Sequence, residues 1–127
     1  MRYRAGKKLR LKNSREISRM FAEGLRARDA RMTLIASRRD CRGDSPSRMA
    51  AAVSGRHGGA VVRNRIKRLC REAFRTSRHR LPSGWDYVML PRVGANLTLV
   101  GLIDSLATLT VKISAAYERT KDPGDDS

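Results

Sequence analysis

Along residues 61–75, apolar side chains recur at the three- and four-residue spacing of a helix that faces a protein core. This apolar stripe consists of Val62, Ile66, Leu69, Cys70, Ala73 and Phe74. At about 100° per residue, the polar side chains gather on the other side of the helix. They are Asn64, Lys67, Arg68, Arg71, Arg75 and Arg78, with Arg65 at the edge. Arg63 lies near the stripe, so we expect it to act at the helix start.

Before this basic helix, the pattern predicts one short helix followed by strands. Asn13 has the character of a helix N-cap, Glu16 stands three residues later as in a capping box, and Gly24 can end the helix. Residues 31–37 form a compact apolar run that predicts a half-buried strand. After a polar turn, residues 49–54 predict a returning strand.

After the basic helix, residues 85–90 predict another strand, which Pro91 ends. From Leu99 onward the apolar residues return to helical spacing and predict a closing core helix. The order of elements is therefore helix, two or three strands, helix, strand, helix. This order predicts a single-domain α+β sandwich in which helices cover one sheet face, leaving the other partly open for an extended ligand.

The 127 residues suffice for one compact domain with a single core. Residues 1–12 carry six basic side chains and no acid, which predicts a basic N-terminal arm that orders on RNA, although a merely solvated terminus fits nearly as well. Residues 13–119 form the expected folded domain. Residues 120–127 are polar and acidic, with no apolar side chain to bury, and predict a disordered tail.

The charge of the chain indicates a polyanionic partner. There are 28 Lys and Arg against 12 Asp and Glu, a net charge of +16, which repels itself unless a polyanion neutralises it. Glu72 is the one acid between Val61 and Arg80, whereas an ordinary solvated helix face mixes both signs. RNA or DNA is the expected ligand.

A membrane partner is not expected. Aromatic residues make up only 5% of the chain, whereas membrane-binding basic helices carry large exposed apolar side chains. We find no run of about 20 apolar residues, and the first ten residues lack the apolar segment of a signal peptide. These features predict a cytoplasmic protein.

The sequence contains no recognisable catalytic or metal-binding set. Cys41 and Cys70 lack metal-ligand spacing and are expected to be free thiols. His57 and His79 flank opposite ends of the basic helix, which is roughly 19 residues and therefore about 28 Å long at 1.5 Å per residue. We therefore expect no catalytic residue and no metal site in the chain itself, and a partner that carries any chemistry.

Residues 54–74 resemble the signature of the bacterial ribonuclease P protein component, which centres on the run Arg-Asn-Arg-Ile-Lys-Arg at residues 63–68. The similarity extends to residues 10–12 and to Ile17, Met20, Phe21 and Gly24 in the predicted first helix. Residues 84–88, Gly-Trp-Asp-Tyr-Val, continue it after the basic helix. Roughly residues 9 to 115 follow the family layout.

The resemblance implies a protein subunit that acts with a catalytic RNA and Mg²⁺ to remove the 5′ leader from precursor tRNA, without requiring another protein partner. The RNA performs the hydrolysis and holds most of the magnesium. The family fold is an α-β sandwich with a left-handed βαβ crossover, contrary to the general preference for right-handed crossovers.

By the same resemblance, one group of residues would contact the catalytic RNA: Arg63, Asn64, Arg65, Lys67, Arg68, Arg71 and Arg75. A second group would line the cleft that receives the single-stranded leader: Ile17, Phe21, Ile35 and Arg56. Arg10 and Lys12 would make further RNA contacts.

The chain departs from the family pattern at several of these positions. Gly55 and Arg56 stand where relatives tend to carry paired lysines, so one cationic contact is missing. Ile17 and Ile35 stand where relatives often place aromatics, which predicts weaker stacking of leader bases and more reliance on Phe21. Phe21 itself fits a plain core position on an amphipathic helix equally well.

Two other functions remain in competition. The charge alone would equally support a basic ribosomal or general RNA-binding protein without a processing role. A helix-turn-helix regulator would use residues 63–75 as a recognition helix in a DNA major groove. The strands predicted on both sides of the basic helix argue against this second alternative.

Overall fold

A computed structural model describes Leu11, residues 13–39 and residues 46–125, with side chains up to Arg119. It contains three α-helices: α1 (Ser14–Glu23), α2 (Ala60–Ser77) and α3 (Leu99–Asp125). It contains four strands: β1 (Leu25–Arg28), β2 (Met32–Arg38), β3 (Arg48–Ala51) and β4 (Trp85–Pro91). Short 3₁₀ turns at Gly55–His57 and Arg78–Arg80 flank α2.

The four strands form one mixed sheet in the order β1-β2-β4-β3. β1 pairs with β2 and β2 with β4 in antiparallel fashion, whereas β3 and β4 are parallel neighbours, with Met49 opposite Tyr87. Parallel neighbours require a crossover connection, and α2 provides it. The predicted single-domain α+β fold is confirmed, and β3-α2-β4 is the unit for which the family resemblance implies a left-handed connection.

The main core lies between one sheet face and the two longer helices. Alternate residues of β2 and β4 point into it, and the largest fully buried ones include Leu34, Tyr87 and Met89. The two helices contribute the remainder of the core: Ile66, Cys70, Ala73, Phe74, Leu102, Leu106, Leu109 and Ile113. The predicted apolar stripe of α2 is confirmed except at Val62, which is 42% exposed.

The opposite sheet face is partly covered by α1. A smaller cluster forms there from Leu11, Met20, Ile35 and Val88. The backbone N–H of Leu11 donates to the Met49 carbonyl at 2.8 Å, so Leu11 packs beside the edge strand β3. The residues of the predicted N-terminal arm before Leu11 lie outside the described part, as does Lys12.

Local sequence sets both ends of α1. The Asn13 side chain accepts from the backbone N–H groups of Arg15 and Glu16 at 2.9 and 3.2 Å, which confirms the N-cap. Gly24 follows the last turn, and a Cβ placed there would lie 2.6 Å from the Ile35 side chain. Only glycine fits that contact, so α1 can lie close to β2.

A buried carboxylate ties α1, β3 and β4 together. Asp86 on β4 is 5% exposed and accepts hydrogen bonds from Arg39 at 2.6 Å and from Arg48 at 2.8 and 2.9 Å. Arg48 also contacts Glu16 of α1 at 3.3 Å, so Glu16 is engaged in a tertiary ion pair. The hydrogen bond with Asp86 raises the pKa of Arg48 above its ordinary value. The ion pairs thus join three elements around one buried charge.

Several element boundaries differ from those predicted. β1 completes the sheet as the optional third strand before α2, but its Leu-Arg-Ala-Arg sequence carried no strand signal. β3 ends at Ala51 instead of residue 54, because the chain turns there toward α2. The helical backbone of α3 continues to Asp125, into the predicted disordered tail, whose side chains lie outside the described part.

The segment Leu99–Arg119 of α3 is long and apolar enough to cross a membrane by length and composition alone, a property that the sequence reading did not register. The core helix of a globular protein can have the same length and composition. Leu102, Leu106 and Leu109 are fully buried against the sheet and α2. The buried apolar residues of α3 are therefore accounted for by the core, whereas Val100 and Val111 on the same helix are exposed.

Asp29, in the turn between β1 and β2, fastens that turn to α3. Its carboxylate accepts hydrogen bonds from the backbone N–H groups of Arg31 and Met32 at 2.8 and 3.0 Å, and from the Ser105 hydroxyl at 2.6 Å. Burial raises the pKa of Asp29, but these hydrogen bonds and the Arg31 charge outweigh burial and hold the pKa below 3.8.

Replacing Asp29 by Asn should lower the free energy of unfolding by about 1–2 kcal/mol at neutral pH, because the amide NH₂ cannot accept the Ser105 hydroxyl proton. Because the pKa of Asp29 is lower in the folded than in the unfolded protein, its carboxylate stabilises the fold fully above the unfolded-state pKa. This stabilisation is lost as the pH falls through the folded-state pKa. Urea denaturation should show wild type and Asp29→Asn converging below about pH 4.

Asp104→Asn is the matched control, because Asp104 is an exposed carboxylate on α3, directly before Ser105. It should leave the free energy of unfolding nearly unchanged across the same pH range. A difference between wild type and Asp29→Asn that stayed constant down to low pH would contradict the assigned role of the Asp29 charge.

Candidate nucleic-acid interface

The basic face of α2 is largely open to solvent. Asn64, Arg65, Arg68 and Arg75 are exposed, and Arg63, Lys67 and Arg71 are half-buried. The helix is oriented by its core stripe, whose members Cys70 and Ala73 are completely buried. The sequence pattern therefore placed these side chains on the correct side of the helix.

The charges on this face are not equivalent. Arg75 forms an ion pair with Glu72 one turn earlier, and its hydrogen bond lowers the pKa of Glu72. Arg63 lies close to the protein body, and its Nε is buried without a hydrogen-bond partner in the described part of the chain. Arg68 is exposed on the middle turns of the helix. We therefore expect Arg68 to be more available to a polyanion than Arg75.

A cavity of about 300 Å³ lies where α2 faces β3 and α1. Lys67 and Arg71, one helical turn apart, form its cationic wall. Its apolar wall consists of Leu11, Ile17, Met49, Ala50 and Ala51. The cavity therefore combines charge on one side with an apolar surface on the other, as binding of an unpaired nucleic-acid strand requires.

Of the four predicted cleft residues, Ile17 alone lines this cavity. Phe21 lies one turn further along α1 and is 37% exposed, so it is not the plain core residue that its spacing also allowed. Ile35 is completely buried beneath α1, which places it below the surface of the cleft. Arg56 is exposed in the turn before α2, away from the cavity lining.

Arg10 and Lys12, the predicted further RNA contacts, lie outside the described residues. Leu11 between them is buried and hydrogen-bonded to β3. The sequence pattern marked Leu11 only as part of the motif at residues 10–12 and did not predict that it forms a wall of the cavity. Its signal was weak, because the two leucines within the basic run at residues 7–12 are too few to establish a period.

Cys70 and His57 have structural roles. Cys70 is completely buried, and burial raises the pKa of its thiol to about 12, so the reactive thiolate is not formed at neutral pH. The His57 Nε2 contacts the Pro91 carbonyl at 2.8 Å, and its Nδ1 accepts from the Ser54 N–H at 3.2 Å. Both ring nitrogens are thus used to shape the turn before α2.

The described residues also contain no group of three or more His, Cys, Asp or Glu side chains that could hold a metal ion. Mg²⁺ prefers oxygen ligands, which in such a group only Asp and Glu could supply. What the cavity beside α2 offers a ligand is two cations and an apolar wall, a combination that can bind and position an anionic polymer.

Comparisons with a family model and with known proteins all identify the same family. The Ribonuclease P family model matches residues 6–114. The ribonuclease P protein component of Brevibacillus brevis is 35% identical over 98 residues, 76% of each chain. That of Bacillus pumilus is 34% identical over 114 residues, which cover 89% of this chain and 93% of the relative.

Solved structures show the same fold. The RNase P protein from Thermotoga maritima superposes with a TM-score of 0.68 at 26% identity, covering 78% of this chain and 92% of that one. A Staphylococcus aureus RNase P protein structure, at 24% identity and a TM-score of 0.68, supports the fold alone. With its fold, its basic crossover helix and its sequence all in agreement, the chain belongs to the ribonuclease P protein component family.

Proposed function

We propose that this chain is the protein subunit of a cytoplasmic ribonuclease P, which binds a catalytic RNA and the 5′ leader of precursor tRNA. In this role it supports the endonucleolytic 5′ maturation of tRNA. The observation that carries the proposal is the position of the basic face of α2 beside a partly apolar cavity. Two RNA segments could thus be held on adjacent surfaces of one helix.

The catalytic RNA is proposed to lie on the exposed basic face of α2. This helix has 18 residues, so it is about 27 Å long at 1.5 Å per residue and can follow several phosphates. Arg65 and Arg68 offer planar guanidinium groups that can bind a phosphate through two hydrogen bonds. Asn64 can add a hydrogen bond to a base edge or a ribose. No further protein partner is required for this contact.

The leader is proposed to enter the cavity beside β3. The ammonium group of Lys67 and the guanidinium group of Arg71 would contact its phosphates, while Ile17 would contact its bases. A cavity of about 300 Å³ accommodates part of an unpaired strand but not a duplex. Phe21, exposed one turn further along α1, would extend the apolar surface available to the leader.

The hydrolysis is proposed to belong to the RNA, with Mg²⁺ held mainly by RNA phosphates. The chain has a net charge of +16 and can neutralise phosphates that would otherwise need metal ions. Its described residues lack an acidic cluster that could hold the metal. The role of the protein in catalysis is thus to position two RNA segments and to reduce their repulsion.

The test of the proposal is multiple-turnover cleavage of a 5′-extended precursor tRNA by a bacterial catalytic RNA, across a magnesium titration. Adding the protein should shift the magnesium requirement to lower concentration, because its cations replace part of the metal's screening. Tight RNA binding without any stimulation of cleavage at low magnesium would contradict the processing role. It would instead favour a ribosomal or general RNA-binding protein.

Replacing Arg68 by Ala should weaken binding to the catalytic RNA and reduce the slope of log K against log salt by about 0.9, since one fewer counterion is released. Filter binding at several salt concentrations measures both quantities. Arg28→Ala is the control, because Arg28 is exposed on β1, at the opposite edge of the sheet from β3. Equal slopes for the two variants would contradict the assigned RNA face.

Replacing Ile17 by Phe should tighten binding of a leader-bearing precursor by about 1–3 kcal/mol, because an aromatic ring offers a stacking surface to one leader base. Equilibrium binding to the assembled holoenzyme measures this change. Mature tRNA, which lacks the leader, should bind equally to both proteins. An equal gain for precursor and mature tRNA would show that Ile17 does not face the leader.

A further inference from the structure

A second cavity lies on the other side of α2, where the first half of the helix faces the loop between β4 and α3. Its volume is about 350 Å³, within the range of about 300–1,000 Å³ for small-ligand pockets. Arg65 from the helix and Arg92 from the loop both line it, together with Asn96. Its apolar walls are Val62, Ile66, Leu69 and Leu97.

The loop that carries Arg92 is held in place by its backbone. The Arg92 N–H donates to the Arg31 carbonyl at 2.9 Å, which fastens the loop to the start of β2. The Ala95 N–H donates to the Arg92 carbonyl at 3.3 Å and closes a tight turn. Gly94 has φ of 86° in this turn, the left-handed conformation that favours glycine. The second wall of the pocket is therefore built before any ligand binds.

His57 ties the two walls to each other. Its ring contacts the carbonyl of Pro91, the residue directly before Arg92, at 2.8 Å. The same ring accepts the Ser54 N–H at the start of the turn that leads into α2. Because one side chain joins the end of β4 to the entry of α2, the positions of Arg65 and Arg92 are coupled through the backbone. His57 is thus a positioning residue for this pocket.

The lining determines the kind of ligand that fits. Two guanidinium groups in one concave site repel each other unless an anion lies between them, and a phosphodiester suits the planar guanidinium fork. Asn96 can both donate to and accept from a base edge. Val62, at 42% exposure, supplies an apolar surface that a base can cover. An unpaired nucleotide carries the phosphate and the open base that this lining requires.

We propose that this pocket, formed by Arg65, Arg92 and Asn96, binds one unpaired RNA nucleotide, with its phosphate between the two arginines and its base against Asn96 and Val62. The inference rests on the proposed function for the identity of its ligand as RNA. It adds to the basic helix a contact from the loop after β4, which the motif at residues 63–68 does not include. RNA would then contact both sides of α2.

The test is binding of Arg92→Ala protein to the catalytic RNA alone and, separately, of precursor tRNA to holoenzyme assembled with saturating protein. One of these two RNAs supplies the nucleotide that the pocket binds. In the assay with that RNA, the affinity of Arg92→Ala protein should fall about fivefold near 0.15 M salt, and the slope of log K against log salt should decrease by about 0.9. Arg92→Lys should restore the slope, because it keeps the charge. Asn96→Ala should weaken binding at an unchanged slope, because it removes no charge.

The two assays distinguish the sources of the nucleotide. A loss confined to the first assay assigns it to the catalytic RNA, and a loss confined to the second assigns it to the precursor. If Arg92→Ala protein bound RNA with the same affinity and salt slope as the Arg28→Ala control in both assays, the proposal that this pocket binds a nucleotide would be overturned. Stimulation of cleavage by the unmodified protein is measured independently. The processing role can therefore fail while Arg92→Ala still weakens RNA binding, or hold while Arg92→Ala has no effect on binding.

Discussion

The parallel pairing of β3 with β4 is the constraint on which the rest of the structure depends. Parallel neighbours cannot be joined by a tight turn, so the chain must leave the sheet and return through a crossover. Here that crossover is α2, the most basic helix of the chain. The helix is fixed at both ends by adjacent strands, and its basic face is held in one orientation over the sheet edge.

Asp86 strengthens this arrangement from inside the sheet. Its buried carboxylate is neutralised by Arg39 and Arg48, and Arg48 reaches on to Glu16 of α1. Leaving such a buried carboxylate without its partners would be costly. The position of α1, and with it Ile17 on the wall of the cleft, is therefore coupled to the same strands that carry the crossover. The positions of both proposed RNA surfaces thus depend on β3 and β4.

Of the residues predicted to line the leader cleft, Ile17 and Ile35 are aliphatic and Phe21 is aromatic. Ile35 is sealed beneath α1, where Gly24 brings the helix close to the strand, so its identity affects packing more than ligand contact. Under the proposed function, Ile17 and Phe21 are the apolar side chains of α1 that would contact leader bases. With one aliphatic and one aromatic surface, affinity for the leader would rest more on the cations of α2.

The sequence by itself determined the fold class, the N-cap at Asn13, the basic helix and the side of it that is charged, because these follow from local capping and from the spacing of apolar residues in helices and strands. It did not predict β1, whose strand conformation comes from pairing with β2 and not from its own residues. It also did not identify Arg92, Asn96 or Leu11 as cavity walls. Only the tertiary structure decided those positions, since cavities form between segments distant in sequence.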